Sequence, residues 1–451
     1  MAITKLAILP LVWAALAAGQ DYTGPSVLSR RGGGGGGTGP RAALSFRPFL
    51  SLTSSLETGS PFYNRAGLAN PAAELSYGTL YGGDAVLGLI GGRAWRKTSL
   101  NLNFNGNFRK YTGNSARDGN NEFLQFTATR RLTRRLTASL GGNISSFTGG
   151  NLYFGNPGQE NFIDRGLGGA TPQTEILNGR VNSIAALVDV TFQKSARLSF
   201  NGGVDRFSTK RSGGEIGVNG NRARGDAVYR LTRRINVGMD YSVTRIDYTR
   251  TFGRSSIQTL RASFATRLGR SWEVSTQAGI SRVYTLGVER VEISPEVAAI
   301  IGQTFGFDVA EKVTRIPDVA VRLTRTFRRA SLSFSYARGA TPGNGVILTS
   351  RQQNFDAGFS YTAVKKWNFG ANAGFNENDA IGVSQGVNAY TSKHAGGGAT
   401  YQLRRYLFLN MQTGYQKFSG ANLPIQANSR NQFRASVGLS FSPGDQPLAL
   451  R

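Results

Sequence analysis

The chain has 451 residues, and 53 Lys and Arg against 26 Asp and Glu leave a formal net charge of +27. The mean hydropathy of −0.26 is too low for a bundle of transmembrane helices. The absence of cysteine excludes disulfides and thiolate metal ligands. A basic balance of this size is typical of chains that meet anionic partners, of which nucleic acid and anionic lipid are the first to consider.

Residues 1–18 have the pattern of a cleavable signal peptide. Lys5 precedes a 13-residue apolar run at 6–18, and Ala15 and Ala17 form a small-x-small cleavage site. The run is shorter than the ~20 residues that a membrane-spanning helix needs. We therefore predict export to the bacterial outer membrane, which removes nucleic acid as a partner and favours outer-membrane lipid and lipopolysaccharide. Residues 19–41 contain six consecutive glycines and are predicted to be a flexible periplasmic leader.

From about residue 42 to about 442, apolar residues alternate with small polar residues. In the stretch 100–108, for example, Leu, Phe and Gly occupy the even positions and Asn the odd ones. Side chains of a strand point alternately to its two faces, so this pattern describes strands with one face in lipid and the other in water. Eight short basic turns separate such strands in pairs, near Lys97, Arg134, Ser195, Arg233, Arg270, Arg328, Lys365 and Arg404.

Two strands per turn, with an opening and a closing strand, give about 18 strands, or 16 if one hairpin is misread. The predicted fold is all-β: a transmembrane antiparallel up-and-down β-barrel over residues 42–443, with residues 444–451 as a C-terminal tail. An even strand number and short turns that alternate with longer loops are typical of bacterial outer-membrane barrels. By that asymmetry the short turns are periplasmic and the long loops are extracellular.

Aromatic residues gather beside the short turns. Their rings favour the head-group boundary of a bilayer, so this cluster predicts an aromatic girdle at the membrane surface. The alternative is that they are ordinary core aromatics of a soluble sheet. The girdle candidates are Trp95, Tyr229, Trp272, Tyr361, Trp367 and Tyr401.

The strand face opposite the apolar row is rich in amides and hydroxyls, with a few arginines in the same phase. Neutral amides bind water and sugars without trapping a charge, and unpaired arginines in a narrow lumen favour anions. In the alternative, these arginines pair with lumen acids such as Asp226, Asp318 and Asp356. The predicted pore-lining residues are Asn101, Asn103, Asn105, Arg222, Arg224, Arg261, Arg322, Asn368, Asn372 and Arg434.

Two long loops are expected, at residues 150–180 and 287–313, and either of them folds into the pore or caps its outer rim. In the second loop, Ser294 followed by Pro295 is a helix-start signal, which predicts one short helix. Two interpretations of the basic turns are open as well. The turns dock an acidic periplasmic partner, or they lie beside the phosphates of the inner leaflet.

Catalysis has little support in the residues. His394 is the only histidine, so a His-based triad would have to centre on it. No nucleophile or orienting acid can be singled out, and no metal or cofactor motif is present. We therefore expect a protein that is not an enzyme and has no cofactor, with an outer-membrane hydrolase as a minor alternative.

Two segments resemble known outer-membrane proteins. The last predicted strand, residues 432–441, resembles the C-terminal assembly signal of such barrels, with Gly438 three residues before Phe441; Pro443 stands where a second aromatic is expected. The hairpin sequences YQLRRY at 401–406 and YRLTRR at 229–234 resemble those of outer-membrane porins encoded beside exopolysaccharide export systems. The resemblance implies a single-chain barrel of about 18 strands that passes a polysaccharide or supports its export.

The expected function is therefore an outer-membrane channel for hydrophilic solutes, mildly anion-favouring, with exopolysaccharide export as the narrower expectation. The expected partners are the barrel-assembly machinery, through the last strand, and a periplasmic component of polysaccharide export. The alternative is a non-conducting barrel that has a structural or ligand-binding role.

Overall fold

The computed structural model describes residues 44–59, 78–112, 118–148, 179–212, 216–269, 271–343, 347–362, 364–381, 389–421, 429–443 and 446–448. The predicted signal peptide, the predicted leader and nearly all of the predicted loop 150–180 lie outside these residues. Eighteen strands form one closed antiparallel barrel, in which each strand pairs with its chain neighbours and β1 pairs with β18. The predicted all-β barrel of 18 strands is thus confirmed.

The strands are β1 (Leu44–Gly59), β2 (Thr79–Ala94), β3 (Thr98–Tyr111), β4 (Gly119–Arg131), β5 (Leu136–Thr148), β6 (Arg180–Gln193), β7 (Leu198–Arg211), β8 (Gly217–Arg230), β9 (Ile235–Thr249), β10 (Gly253–Leu268), β11 (Trp272–Glu292), β12 (Phe305–Thr326), β13 (Ala330–Thr341), β14 (Ser350–Tyr361), β15 (Trp367–Ala380), β16 (Ala389–Arg404), β17 (Leu407–Ala421), β18 (Ser429–Phe441) and β19 (Gln446–Leu448). The helix α1 (Pro295–Ile301) lies between β11 and β12. The short strand β19 falls within the predicted tail and pairs with the start of β1.

All eight short turns lie where the basic residues predicted them, and they share one end of the barrel, here called the turn rim. Three of them have the same internal hydrogen bonds. The hydroxyl oxygens of Thr133, Ser195 and Thr232 each accept N–H bonds from the residues two and three positions later, at 3.0–3.2 Å. A hydroxyl that accepts two backbone N–H bonds fixes a tight turn. The opposite end of the barrel, with the other connections, is called the loop rim.

The predicted loop 287–313 is wrong in its bounds. The strands β11 and β12 continue to Glu292 and from Phe305, so the connection is only residues 293–304. The start of β12 keeps the apolar alternation of the other strands, with Phe305, Phe307 and Val309 in the outward phase, and backbone pairing with β11 continues through it. The predicted helix start is confirmed, because Ser294 is the N-cap of α1 and a proline occupies its first turn. At the same rim, the connection 250–252 has only three residues.

The outer wall of the barrel is apolar. On β6, Ile184, Val188, Val190 and Phe192 point outward and are 40–53% exposed. At ~3.4 Å per residue this row covers roughly 27 Å along the strand. A strand tilt of about 40° turns that into an apolar band roughly 21 Å high, close to that of transmembrane barrels. No helix among the described residues has the length and apolar composition needed to cross a membrane.

Candidate pore and its constriction

All ten residues predicted to line the pore lie on the inward faces of their strands. On β8, for example, Tyr229 is exposed on the outer wall, so Arg222 and Arg224 have the opposite phase and point inward. Asn105 and Arg434 are only 8% and 7% exposed, so they are packed among other side chains. That these ten residues contact a passing solute stays a prediction.

The half of the lumen next to the loop rim, here called the loop half, is filled with side chains. Among the described residues, every barrel strand except β13 has an inward residue there that is buried. One such residue from each strand, in chain order, is Glu57, Asp84, Arg109, Phe123, Phe147, Val181, Phe207, Val218, Ile246, Ile257, Val283, Ile316, Gln352, Asn378, Tyr390, Phe418 and Gln432.

The other half, here called the turn half, is more open. Asn101 and Asn372 are exposed there, and the side chain of Asp356 is 47% exposed. Inward residues are nevertheless buried beside the turns in a sector of β7 to β10, at Ser199, Val228, Asn236 and Ala265, and on β16 at Thr400. The lumen is thus a polar vestibule that opens at the turn rim and ends in a packed region.

Ion pairs line the wall between these two halves. Arg224 donates to both carboxylate oxygens of Asp189, at 2.6 and 2.8 Å. Arg261 donates to Asp240 at 2.8 Å and to Asp318 at 3.3 Å. These side chains come from β6, β8, β9, β10 and β12, so the pairs follow the wall over seven neighbouring strands. We call them the charged belt.

Glycines in intervening strands make these pairs possible. Gly203 lies between Asp189 and Arg224 in the β-sheet register, and a Cβ atom there would be 2.0 Å from Asp189 Oδ1. Gly279 lies in the same way between Arg261 and Asp318. An ion pair that spans two strands must cross the strand between them, and only a residue without a side chain leaves that room.

A second group of charges is buried near the loop rim, where the barrel closes. Arg109 donates to Asp84 at 2.5 Å, and Arg434 also bonds that carboxylate. The hydroxyl of Tyr111 donates to Glu57 at 2.5 Å. The predicted lumen arginines Arg224, Arg261 and Arg434 therefore pair with acids, as the alternative interpretation expected. Asp318 is one of the acids that it named, while Asp84, Asp189 and Asp240 were not.

The described residues just before β14, 347–349, contact the wall at β9 and β10. The hydroxyl of Tyr248 donates to the carbonyl oxygen of Leu348 at 2.6 Å. The hydroxyl of Thr349 lies 2.6 Å from those of both Tyr248 and Ser255. The N–H of Ile381 donates to the carbonyl oxygen of Thr349 at 2.8 Å. We call the three hydroxyls of Tyr248, Ser255 and Thr349 the latch.

Apolar side chains surround the latch and fill the loop half. Leu348 packs against a cluster from β4 to β12 that includes Phe123, Leu187, Phe207, Ile246, Ile257, Val283 and Ile316. The polar-lumen prediction missed these residues. A signal existed in residues 184–188, where both phases are apolar, because such a run is typical of a strand buried on both faces.

His394 points inward as well, and its Nε2 atom lies 3.6 Å from Asp356 Oδ1. The two side chains meet across Gly374 of β15. Among the described residues, no group of three or more His, Cys, Asp or Glu side chains is arranged to hold a metal ion. The pair by itself defines no catalytic site.

The six girdle candidates all lie on the outer wall or in a turn at the turn rim. The closest contacts join Trp367 to Tyr401, with ring centroids 4.7 Å apart, and Trp367 to Phe369, at 5.6 Å. Tyr361 contacts Phe369 from the next strand at 6.5 Å. These rings form a continuous aromatic surface over β14 to β16. Their role at a bilayer surface stays a prediction.

No protein-family model and no curated protein sequence matches this chain. Similar solved structures include OccK2 (OpdF) from Pseudomonas aeruginosa and a BenF-like porin from Pseudomonas fluorescens Pf-5. Each has 10% identity and a TM-score of 0.42, and each match covers 88% of this chain and 98% of that chain. Another is the ferric-catecholate import receptor Fiu from E. coli K12, with 9% identity, a TM-score of 0.43, and 87% and 81% of the two chains covered.

Proposed function

We propose that this protein is a channel for small hydrophilic solutes in the bacterial outer membrane. The observation that carries the proposal is a polar vestibule inside a closed barrel whose outer wall is apolar. Hydrocarbon solvates such a wall, and water fills such a lumen. In this proposal residues 1–18 are removed on export, β18 is recognised during assembly, and the turn rim faces the periplasm.

The latch and the apolar cluster close the loop half in this conformation. A solute that crosses the barrel has to displace residues 347–349 or pass beside them. These residues are held by a few hydrogen bonds and by side-chain packing, so their displacement leaves the strands of the wall in place. The proposed channel is therefore narrow and alternates between closed and open states.

The anion preference is a finer proposal, and we expect it to be small. Arg224 and Arg261 face acids within hydrogen-bonding distance, so their fields largely cancel. Polysaccharide export is the other finer proposal. The amides of Asn101, Asn368 and Asn372 support it, because they suit hydroxyl-rich solutes.

A non-conducting barrel with a structural or ligand-binding role is the second candidate function. The filled loop half favours this alternative, because a lumen closed by packed side chains offers a solute no passage. In this alternative, the vestibule holds a ligand that enters from the turn rim and leaves by the same route.

Conductance in planar bilayers separates the two functions. The channel predicts stepwise openings with long closed periods, and a zero-current potential near zero in a salt gradient. A heat-modifiable band shift on gels confirms that the reconstituted protein is folded. Silent bilayers from folded protein would exclude the channel and leave the non-conducting barrel.

A further inference from the structure

The turn rim is uniformly basic. Each of its eight turns has at least one Arg or Lys in the turn or at the adjoining strand end, and four turns carry exposed Arg pairs, at 134–135, 233–234, 328–329 and 404–405. Among the described residues of these turns and the strand ends beside them, one carboxylate occurs. It is Glu273, which forms an ion pair with Arg267 at 3.6 Å.

The charge at the loop rim has mixed signs. Lys210, Arg250 and Lys312 lie there together with acids such as Glu292 and Asp308. A general excess of cations over the whole surface therefore does not explain the turn rim. Within the part of the chain that the structure describes, the net positive charge is therefore concentrated at the turn rim and encircles the barrel.

Arginines on the outer wall near this rim lie over aromatic rings. The guanidinium carbon of Arg325 is 4.8 Å from the ring centroid of Trp272 and 4.3 Å from that of Phe327. That of Arg93 is 4.8 Å from the ring of Trp95. Cation–π contacts of this kind hold a guanidinium group beside the ring and restrict its position. These arginines therefore lie at the end of the apolar band that is nearest the turn rim.

We propose that the turn rim binds the phosphodiester head groups of anionic phospholipids in the leaflet that it faces. The inference rests on the membrane placement proposed above. A protein partner would contact one sector of the rim, whereas the cations are found on every turn around it. A ring of lipid head groups is the anionic surface that matches this arrangement, because basic residues near a bilayer surface attract anionic lipid.

The chain supplies its own reporters for a test. Trp95, Trp272 and Trp367 all lie at the turn rim, and Trp13 is the only other tryptophan in the sequence. In a full-length Trp13→Phe background, brominated phosphatidylglycerol and brominated phosphatidylcholine are compared as quenchers of tryptophan fluorescence in mixed vesicles. The ratio of their association constants measures selectivity for the anionic head group.

We expect a preference for phosphatidylglycerol of about fivefold, the effect of one basic side chain close to a head group. The test variant changes to Gln the six arginines at 134–135, 233–234 and 328–329, and its preference should fall to about threefold, because five of the eight turns keep their cations. The control variant changes six exposed cations near the loop rim to Gln: Lys110, Lys210, Arg254, Arg282, Lys312 and Arg315. It removes the same charge and should keep the preference.

A preference near one in the parent protein would overturn the proposal and leave an acidic protein as the partner to seek. An equal loss in both variants would overturn it too, because net charge alone would then explain the effect. If the test variant shows no heat-modifiable band shift and is therefore unfolded, the salt dependence of the parent protein's preference tests the proposal instead. That preference should fall toward one between about 0.05 and about 0.5 M salt, since salt screens exposed charges. A preference that does not change with salt would contradict the proposal.

Discussion

The two halves of the lumen have the same strand alternation and different contents. In the turn half, inward positions hold exposed polar residues such as Asn101 and Asn372, which leave the lumen open. In the loop half, they hold Leu187, Phe207 and other large apolar side chains, which pack against one another. The alternation therefore specifies the barrel, while the size and polarity of the inward residues decide whether the lumen is open.

Removal of the latch should have the largest effect on this difference. The double variant Tyr248→Phe/Thr349→Val loses its hydroxyl bonds and keeps its shape. At about 1 kcal/mol for each of the three hydrogen bonds lost, the ratio of open to closed states should rise roughly 150-fold. Single-channel recording in planar bilayers measures this ratio.

The matched control for the latch is Thr209→Val. Thr209 is an equally buried inward hydroxyl on β7 that bonds Ser183 at 3.2 Å. Its loss should leave the open probability unchanged. An equal rise in both variants would show that wall flexibility, and not the latch, controls the pore.

Truncation of a side chain in the apolar cluster should have the second largest effect, a loss of stability in the loop half. Leu187 is 6% exposed inside the cluster, so Leu187→Ala should lower the free energy of unfolding by about 2–5 kcal/mol. Ile300, in α1, is 85% exposed, and Ile300→Ala should change it by less than about 0.5 kcal/mol. Denaturant titration of the reconstituted barrel compares them. A similar loss in the free energy of unfolding for the two variants would mean that the loop half is not packed.

Gly203, which lies between the paired side chains of Asp189 and Arg224, gives a sharper test of the charged belt. Gly203→Ala places a methyl group against Asp189, and we expect a loss of about 1–3 kcal/mol in the free energy of unfolding. Gly202→Ala, one residue away, meets no atom nearer than 4.0 Å and should be neutral. If the neighbouring variants are equally stable, the belt does not depend on the intervening glycine.

Charge changes in the belt should have the smallest effect. Asp189→Asn removes the carboxylate charge that Arg224 bonds and should raise the ratio of anion to cation permeability roughly two- to threefold. Arg224→Gln should lower it by a similar factor, and the double variant should return near the parent value. Zero-current potentials in a salt gradient give these ratios. If the permeability ratio of the double variant differs from the parent value as much as that of either single variant, the two charges do not neutralise each other.

Local patterns were sufficient to predict the strands and turns. Alternation and basic turn residues are readable within a dozen positions, and the hydroxyls of Thr133 and Thr232 fix turns with their own neighbours. The contents of the lumen depend on distant residues. Tyr248 and Thr349 are 101 positions apart, and Arg224 meets Asp189 across 35 positions. The phase of a strand shows which residues point inward, but their partners follow from register and tilt, which no single segment encodes.

Thiol labelling tests the central claim most directly, because the chain has no cysteine and each introduced thiol is the only one. In vesicles, a charged methanethiosulfonate reagent should modify the Asn372→Cys variant, in the open turn half, and spare Val283→Cys, in the packed loop half. Leu260→Cys, on the outer wall, should react only with a membrane-soluble maleimide. Equal modification of all three by the charged reagent would contradict a barrel with a lipid-facing wall and a lumen closed at one end.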